Sequence, residues 1–290
     1  MPSLQSLRRK IAAFKNTQKI TKAMKMVAAA KLKRAQDRIL AARPYAHKMR
    51  DVLSDLSRRV NRSSHPLLQK RGDTLLEVLV VTSDRGLCGG FNANIVRKAL
   101  EFIKEREATG AKITVSVVGR KGREFFRRRP WPVRQRWTDV FDRLSYEHAL
   151  DIGHDLTREF TKGTFDELHV IYNEFKSAIQ QRVVVEKLFP VEAFDESGTP
   201  AESPGGGFLY EPDENELLAS LLPKHFEVQT FRILLESSAA EQGARMAAMD
   251  GATRNAGELI QKATLYYNKT RQAAITKELL DIVGGAEALR

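Results

Sequence analysis

The first sixty residues carry an apolar seam at alternating spacings of three and four. Leu4, Leu7, Ile11, Phe14, Ala28, Leu32, Ala35, Ile39, Ala42, Ala46, Met49, Leu53, Leu56 and Val60 fall on it, and only Gln18, Thr21 and Lys25 interrupt it. A seam sustained over so many heptads demands a partner helix along its length. Within the polar window Ile20, Met24 and Val27 offer another apolar side, which predicts that the helix turns a different face to its partner there. Pro44 removes one backbone hydrogen bond and is expected to kink the helix. Ser57 to Gly72 reads as the exit loop.

The partner lies at the other end of the chain. A second helical pattern starts near Asp213, is open to interruption at Pro223, and runs to about Ala288. Its register is Met249, Ala252, Ala256, Leu259, Ala263, Tyr266, Thr270 and Ala273, shifting to Ile275, Leu279, Ile282, Ala286 and Leu289. Many seam positions are Ala or Gly, which permit close approach. At about 1.5 Å per residue, helices of roughly 55 and 65 residues reach roughly 80 and 100 Å. A compact domain of this length is only roughly 40 Å across. One end of the pair is therefore expected to project and to insert into another body that covers its apolar surface.

Between the helices the period changes. Thr74–Ser83, Lys112–Val118, Glu167–Glu174 and Ile179–Phe189 read as strands, the last two as a pair, while 92–108, 121–129 and 146–162 read as helices. Such alternation predicts an open α/β sheet with right-handed crossovers. The predicted architecture is a long antiparallel coiled coil of N- and C-terminal helices with an inserted open α/β, Rossmann-like domain. The predicted segments are an N-terminal helix over 1–60, an α/β domain over 73–190, a Gly- and Pro-rich loop over 191–212, and a C-terminal helix over 213–290.

Charge narrows the function. The net charge is +12, and the first 72 residues hold 19 of the 48 Lys and Arg but only 3 of the 36 Asp and Glu. So one-sided a field implies an acidic partner: nucleic acid, an anionic membrane surface or an acidic protein face. No apolar run approaches the roughly 18 residues of a membrane span. The start lacks the apolar core of a secretory signal. A lone cysteine, Cys88, excludes an internal disulfide and a cysteine zinc cage. The six histidines show no metal spacing, and neither a GxSxG nor a kinase signature is present.

Two local motifs carry weaker signals. Asp84 to Gly90 (DRGLCGG) follows a strand and precedes a helix, where doubly wound folds bind ligands, but it matches neither phosphate-loop pattern. It reads first as a tight turn, with enzymatic use of Asp84 and Cys88 as a remote alternative. Arg127–Trp131 with Arg134, Arg136 and Trp137 is a basic patch with aromatics. It reads as a solvated turn anchored by its Trp residues, with single-stranded nucleic-acid contact as the alternative.

Three longer stretches resemble one family. Lys10–Lys31 (KIAAFKNTQKITKAMKMVAAAK), Ser83–Gly90 (SDRGLCGG), and Glu241–Ile260 (EQGARMAAMDGATRNAGELI) followed by Tyr267–Ala286 (YNKTRQAAITKELLDIVGGA) are similar to the gamma subunit of F-type ATP synthases. The resemblance implies a non-catalytic rotor with no active site, cofactor or metal. Its partners would be alpha and beta subunits, one gamma copy per three of each, with the epsilon subunit and the ring of c subunits, and no nucleic acid. It would associate with the membrane only through the complex, at the cytoplasmic face of a bacterial inner membrane, and couple proton flow to ATP synthesis or hydrolysis. Carried over by motif, Met24, Arg271, Gln272 and Thr276 would face the alpha/beta ring, as would Arg97 by a looser match. Phe208 and Glu211 would face the c-ring, Phe208 standing where the family often has Tyr. With Cys88 alone, no dithiol switch is expected. The competing reading is a basic helical nucleic-acid-binding protein.

Overall fold

The computed structural model describes residues 3–59, 65–177, 180–191, 211 and 213–287. Helix α1 spans Leu4–Arg59 and helix α5 spans Glu214–Glu287. Between them lie a 3₁₀ turn at Pro66–Leu68, β1 (Leu75–Val81), α2 (Phe91–Ala108), β2 (Lys112–Val118), α3 (Arg120–Phe126), β3 (Val133–Trp137), α4 (Tyr146–Lys162), β4 (Glu167–Phe175) and β5 (Gln181–Phe189). The chain forms two compact units, Met1–Ala29 with Arg245–Arg290, and Ala30–Ala244. Both long helices run through both units, and neither proline ends its helix. The carbonyls deprived of a donor by Pro44 and Pro223 belong to Leu40 and Ala219, which are exposed residues.

In the helical unit the pairing of α1 with α5 is antiparallel. Lys25 meets Asp250, Thr21 meets Thr253, and Arg8 meets Tyr267. Seventeen residues separate Arg8 from Lys25, and seventeen separate Asp250 from Tyr267, so the register holds throughout. Leu7, Thr21, Ala28, Met249 and Ala256 are buried along the seam. A Cβ at Gly257 would lie 3.1 Å from Gln18 Nε2, so glycine sets the closeness of approach there.

Two expectations about this seam are corrected. The seam does not move to Ile20 and Val27, which are 60 % and 57 % exposed. It continues through Gln18, Thr21 and Lys25, because Thr253 and Asp250 on α5 satisfy the polar groups. On α5, Leu259 and Tyr266 are 45 % and 47 % exposed, while Ile260, Ala263 and Tyr267 are partly buried. Apolar residues stand on both candidate faces there, and periodicity alone could not choose between them.

The other unit is built on a five-stranded sheet of order β3-β2-β1-β4-β5. The first four strands are parallel, and β5 joins the edge antiparallel to β4. Strand β1 (LLEVLVV) is central, which explains its nearly unbroken apolar run. Leu76, Val78 and Val80 pack with Ile95, Ala99 and Ile103 of α2 on one face. On the other face, Leu79 and Val81 share a core with Ile152 and Leu156 of α4, Leu53 and Leu56 of α1, and Leu222 and Phe226 of α5. This unit's segments of the long helices thus form one wall of the α/β core.

Strand β3 was not expected. Its residues are those read as a solvated basic turn. Arg134 is the reason they join the sheet: it bonds the wholly buried Glu77 at 3.1 Å and Asp155 at 2.7 Å, tying the edge strand to β1 and α4.

The seam assignment predicts opposite outcomes for neighbouring sites. Ala256→Asp buries a carboxylate and should cost about 2–4 kcal/mol in urea unfolding followed by helical circular dichroism. Leu259→Asp should stay within about 0.5 kcal/mol of the parent.

Candidate functional site

The residues expected to act fall on three surfaces. In the helical unit, Met24 is half-buried on α1, beside Lys25. Lys25 Nζ lies 2.6 Å from Asp250 Oδ1 and is engaged within the pair. The Lys25 ammonium, and then Arg254, hold the Asp250 carboxyl below its usual value. One turn away, Thr253 donates to Thr21 at 2.8 Å, with the Met249 carbonyl as its alternative acceptor at 2.7 Å. Thr21 donates to Gln18 O at 3.1 Å. Ile20 and Val27 on the Met24 side of the helix are exposed, and so, farther round its outward face, are Met26, Lys15, Lys19 and Lys22. The outward face of α1 thus carries apolar side chains together with cations that make no ion pair among the described residues.

Arg271, Gln272 and Thr276 are exposed on α5. The register places Asp250 level with Lys25, next to Met24, and Arg271 lies twenty-one residues farther along, roughly 30 Å. The structure therefore does not gather Met24 with Arg271, Gln272 and Thr276; it sets them at two levels of one helix pair. Past Arg271, α5 outruns the start of α1 at Leu4. The side chains of Ile275, Leu279, Leu280, Ile282 and Val283 are all exposed there. Ile20, Val27, Ile275, Leu279 and Ile282 are thus exposed apolar surface that the sequence reading assigned to the seam. The signal was present as apolar residues in excess of one continuous stripe.

In the α/β unit, Arg97 is exposed on α2 and donates to Asn94 Oδ1 at 2.6 Å. Glu211 is exposed, and Phe208 lies outside the described residues. The DRGLCGG turn is structural at its base and exposed at its tip. Asp84 accepts backbone N–H bonds from Arg120, Asp139 and Phe141 at 2.9–3.2 Å, which joins three loops at the end of the sheet. Cys88 is buried against Ser83 and Asn92, neither of which can take a thiol proton at neutral pH. Leu87 sits at φ +63° with its side chain 65 % exposed, a strained and apolar loop tip. Among the described residues no group of His, Cys, Asp or Glu is placed to hold a metal. No described helix is long and apolar enough to cross a membrane.

A paired-helix shaft with an exposed apolar and cationic flank, carrying an inserted α/β domain, defines a class of protein that works by contact with other chains. The comparisons specify the class. A family model described as ATP synthase matches residues 3–289. The ATP synthase gamma chain of Geotalea daltonii is 48 % identical, with 100 % of each chain covered. That of Anaeromyxobacter sp. strain K is also 48 % identical over 100 % of both. Among solved structures, the central stalk and c-ring of the Tetrahymena thermophila mitochondrial ATP synthase contains a chain 28 % identical at TM-score 0.60, covering 80 % of this chain and 99 % of that one. A rotor chain of the Euglena gracilis mitochondrial enzyme, 22 % identical, shares the fold at TM-score 0.67 over 94 % and 98 %. The chain belongs to the ATP synthase gamma-chain family, the non-catalytic rotor subunits of the central stalk.

The Lys25–Asp250 pair gives a pH prediction. An acid whose folded value lies below its ordinary 3.8 stabilises the fold above that value and loses the contribution as pH falls through it. Lys25→Asp should therefore lower the melting temperature at pH 7 by placing two carboxylates together. Adding Asp250→Lys should restore it, and the difference between single and double variants should shrink on acidification below about pH 4.

Proposed function

We propose that this chain is the turning shaft that couples proton flow to ATP synthesis or hydrolysis. One copy would stand among three alpha and three beta subunits, with epsilon and the c-ring at the other end. The carrying observation is the outward face of α1 over residues 15–27, where exposed apolar side chains alternate with lysines that make no ion pair among the described residues. Many weak, screened contacts of this kind grip an acidic neighbour at every angle without a deep trap at one. Differences in contact energy with angle are what bias the conformations of the surrounding subunits.

In this reading Met24, Arg97, Arg271, Gln272 and Thr276 meet the stator, with Met24 and Arg271 at different levels of the helix pair. Phe208 and Glu211 meet the c-ring. The domains in this reading are the helix over 1–60, the α/β foot over 73–190, the loop over 191–212 and the helix over 213–290. In this reading the subunit sits peripherally, through the complex, at the cytoplasmic face of a bacterial inner membrane, which the bacterial sources of its relatives support. The nucleic-acid reading finds no support in those relatives.

The test is the native mass of the complex that co-purifies with a tagged copy from gently solubilised membranes. One copy with three alpha and three beta subunits is expected; a free chain or one bound to nucleic acid would overturn the reading. Met24→Lys should reduce protons pumped per ATP hydrolysed, because a fixed ion pair with an acidic stator segment would resist rotation. An unchanged ratio would remove Met24 from the contact.

A further inference from the structure

The basic patch on the α/β unit is not used by the rotor reading, and its geometry is more specific than a solvated surface. Arg123, Arg127 and Arg129, on α3 and the turn after it, meet Arg136 of β3 around a cavity of about 230 Å³. Phe126 and Trp131 line its apolar side. Trp131 is fixed at both ends. Its Nε1 donates to Glu107 at 2.6 Å, and its ring meets Phe126 edge-on at 6.4 Å. Arg129 stacks over the Phe125 ring at 4.6 Å, which holds its plane and leaves its edge N–H groups free to donate.

A bulge in β3 brings Arg136 to this site. Val115 pairs with Val133, but Val117 pairs with Arg136, so β3 spends one extra residue over the same stretch. Without it, Arg136 would share a face with Arg134, which reaches Glu77 and Asp155 on the α4 side. With it, Arg136 shares the face of Val133, toward Phe126 and Trp131. The carboxylates nearby are already engaged: Glu124 pairs with Lys121 at 2.8 Å and Glu107 holds Trp131. Among the described residues, Arg127 and Arg136 make no salt bridge.

We propose that this cavity binds a phosphate ester, its phosphoryl oxygens held by Arg123, Arg127, Arg129 and Arg136 and its carbon portion resting on Trp131 and Phe126. Guanidinium forks converging from a helix and a strand match the several acceptor oxygens of a phosphoryl group, and one carboxylate would leave most of them unused. The same chemistry is presented by an anionic phospholipid headgroup and by a free phosphate compound.

Titration of the full chain, read by intrinsic tryptophan fluorescence at physiological ionic strength, separates the two sources. Inorganic pyrophosphate is one probe, and phosphatidylglycerol vesicles with a phosphatidylcholine control are the other. Saturable binding of either is expected, weakened at least about tenfold by Arg127→Gln with Arg136→Gln. Removing equal charge from α1 with Lys15→Gln and Lys19→Gln should leave it within about twofold. A response to pyrophosphate assigns the site to a free phosphate, and a response to the vesicles alone assigns it to a lipid headgroup. Saturation by neither probe, or equal weakening by both pairs of substitutions, would overturn the proposal. Both pairs are exposed and should leave far-UV circular dichroism unchanged.

Discussion

A polar layer inside an otherwise apolar helix seam fixes where α1 meets α5. Sliding one helix by a turn would separate Thr21 from Thr253 and Lys25 from Asp250, and would place Gln18 against a residue larger than Gly257. Apolar layers of Ala and Leu tolerate such slips, whereas an ion pair and a cross-helix hydroxyl contact are lost by them. The layer gives up some burial and gains a single register. With Lys25 engaged inside the pair, the neighbouring lysines remain as the outward cations.

The α/β unit rests on a related economy. Its central strand is covered on both faces, on one side by α2 and on the other by α4 with segments of α1 and α5. The long helices are therefore part of the core that holds the sheet together. Arg134 stitches the edge strand inward through Glu77, and Asp84 gathers three loops at the end of the sheet. Both use charge where apolar burial is thin.

Most of this was legible from residues 4–56 and 75–81, where one period dominates. Legibility failed where two stripes competed. Ile20 and Val27 looked like a shifted seam because periodicity counts apolar residues without asking whether a partner can satisfy the polar ones. Leu259 and Tyr266 were favoured over Ile260 and Tyr267 for the same reason. Strand β3 was hidden by Pro130, Pro132 and three arginines, and its place in the sheet depends on Glu77 and Asp155, remote in sequence. Pro223 suggested a break, but an exposed turn lets water satisfy the freed carbonyl. At the candidate site, the motif residues were found one by one, but their separation into two levels follows only from the pairing register.

The overhang of α5 has a geometric consequence. Over most of the helical unit two helices lie side by side, while among the described residues only α5 continues beyond Arg271. A single helix with its side chains is about 10–12 Å wide. A collar that encloses these last turns therefore needs a much narrower bore than one that admits the pair. Ile275, Leu279, Ile282 and Val283 follow one face of that helix, while Lys277, Glu278 and Asp281 stand exposed on its other side. A sleeve fitted to it would therefore meet an apolar side and a charged side at every level, and each orientation of the tip would be a different contact.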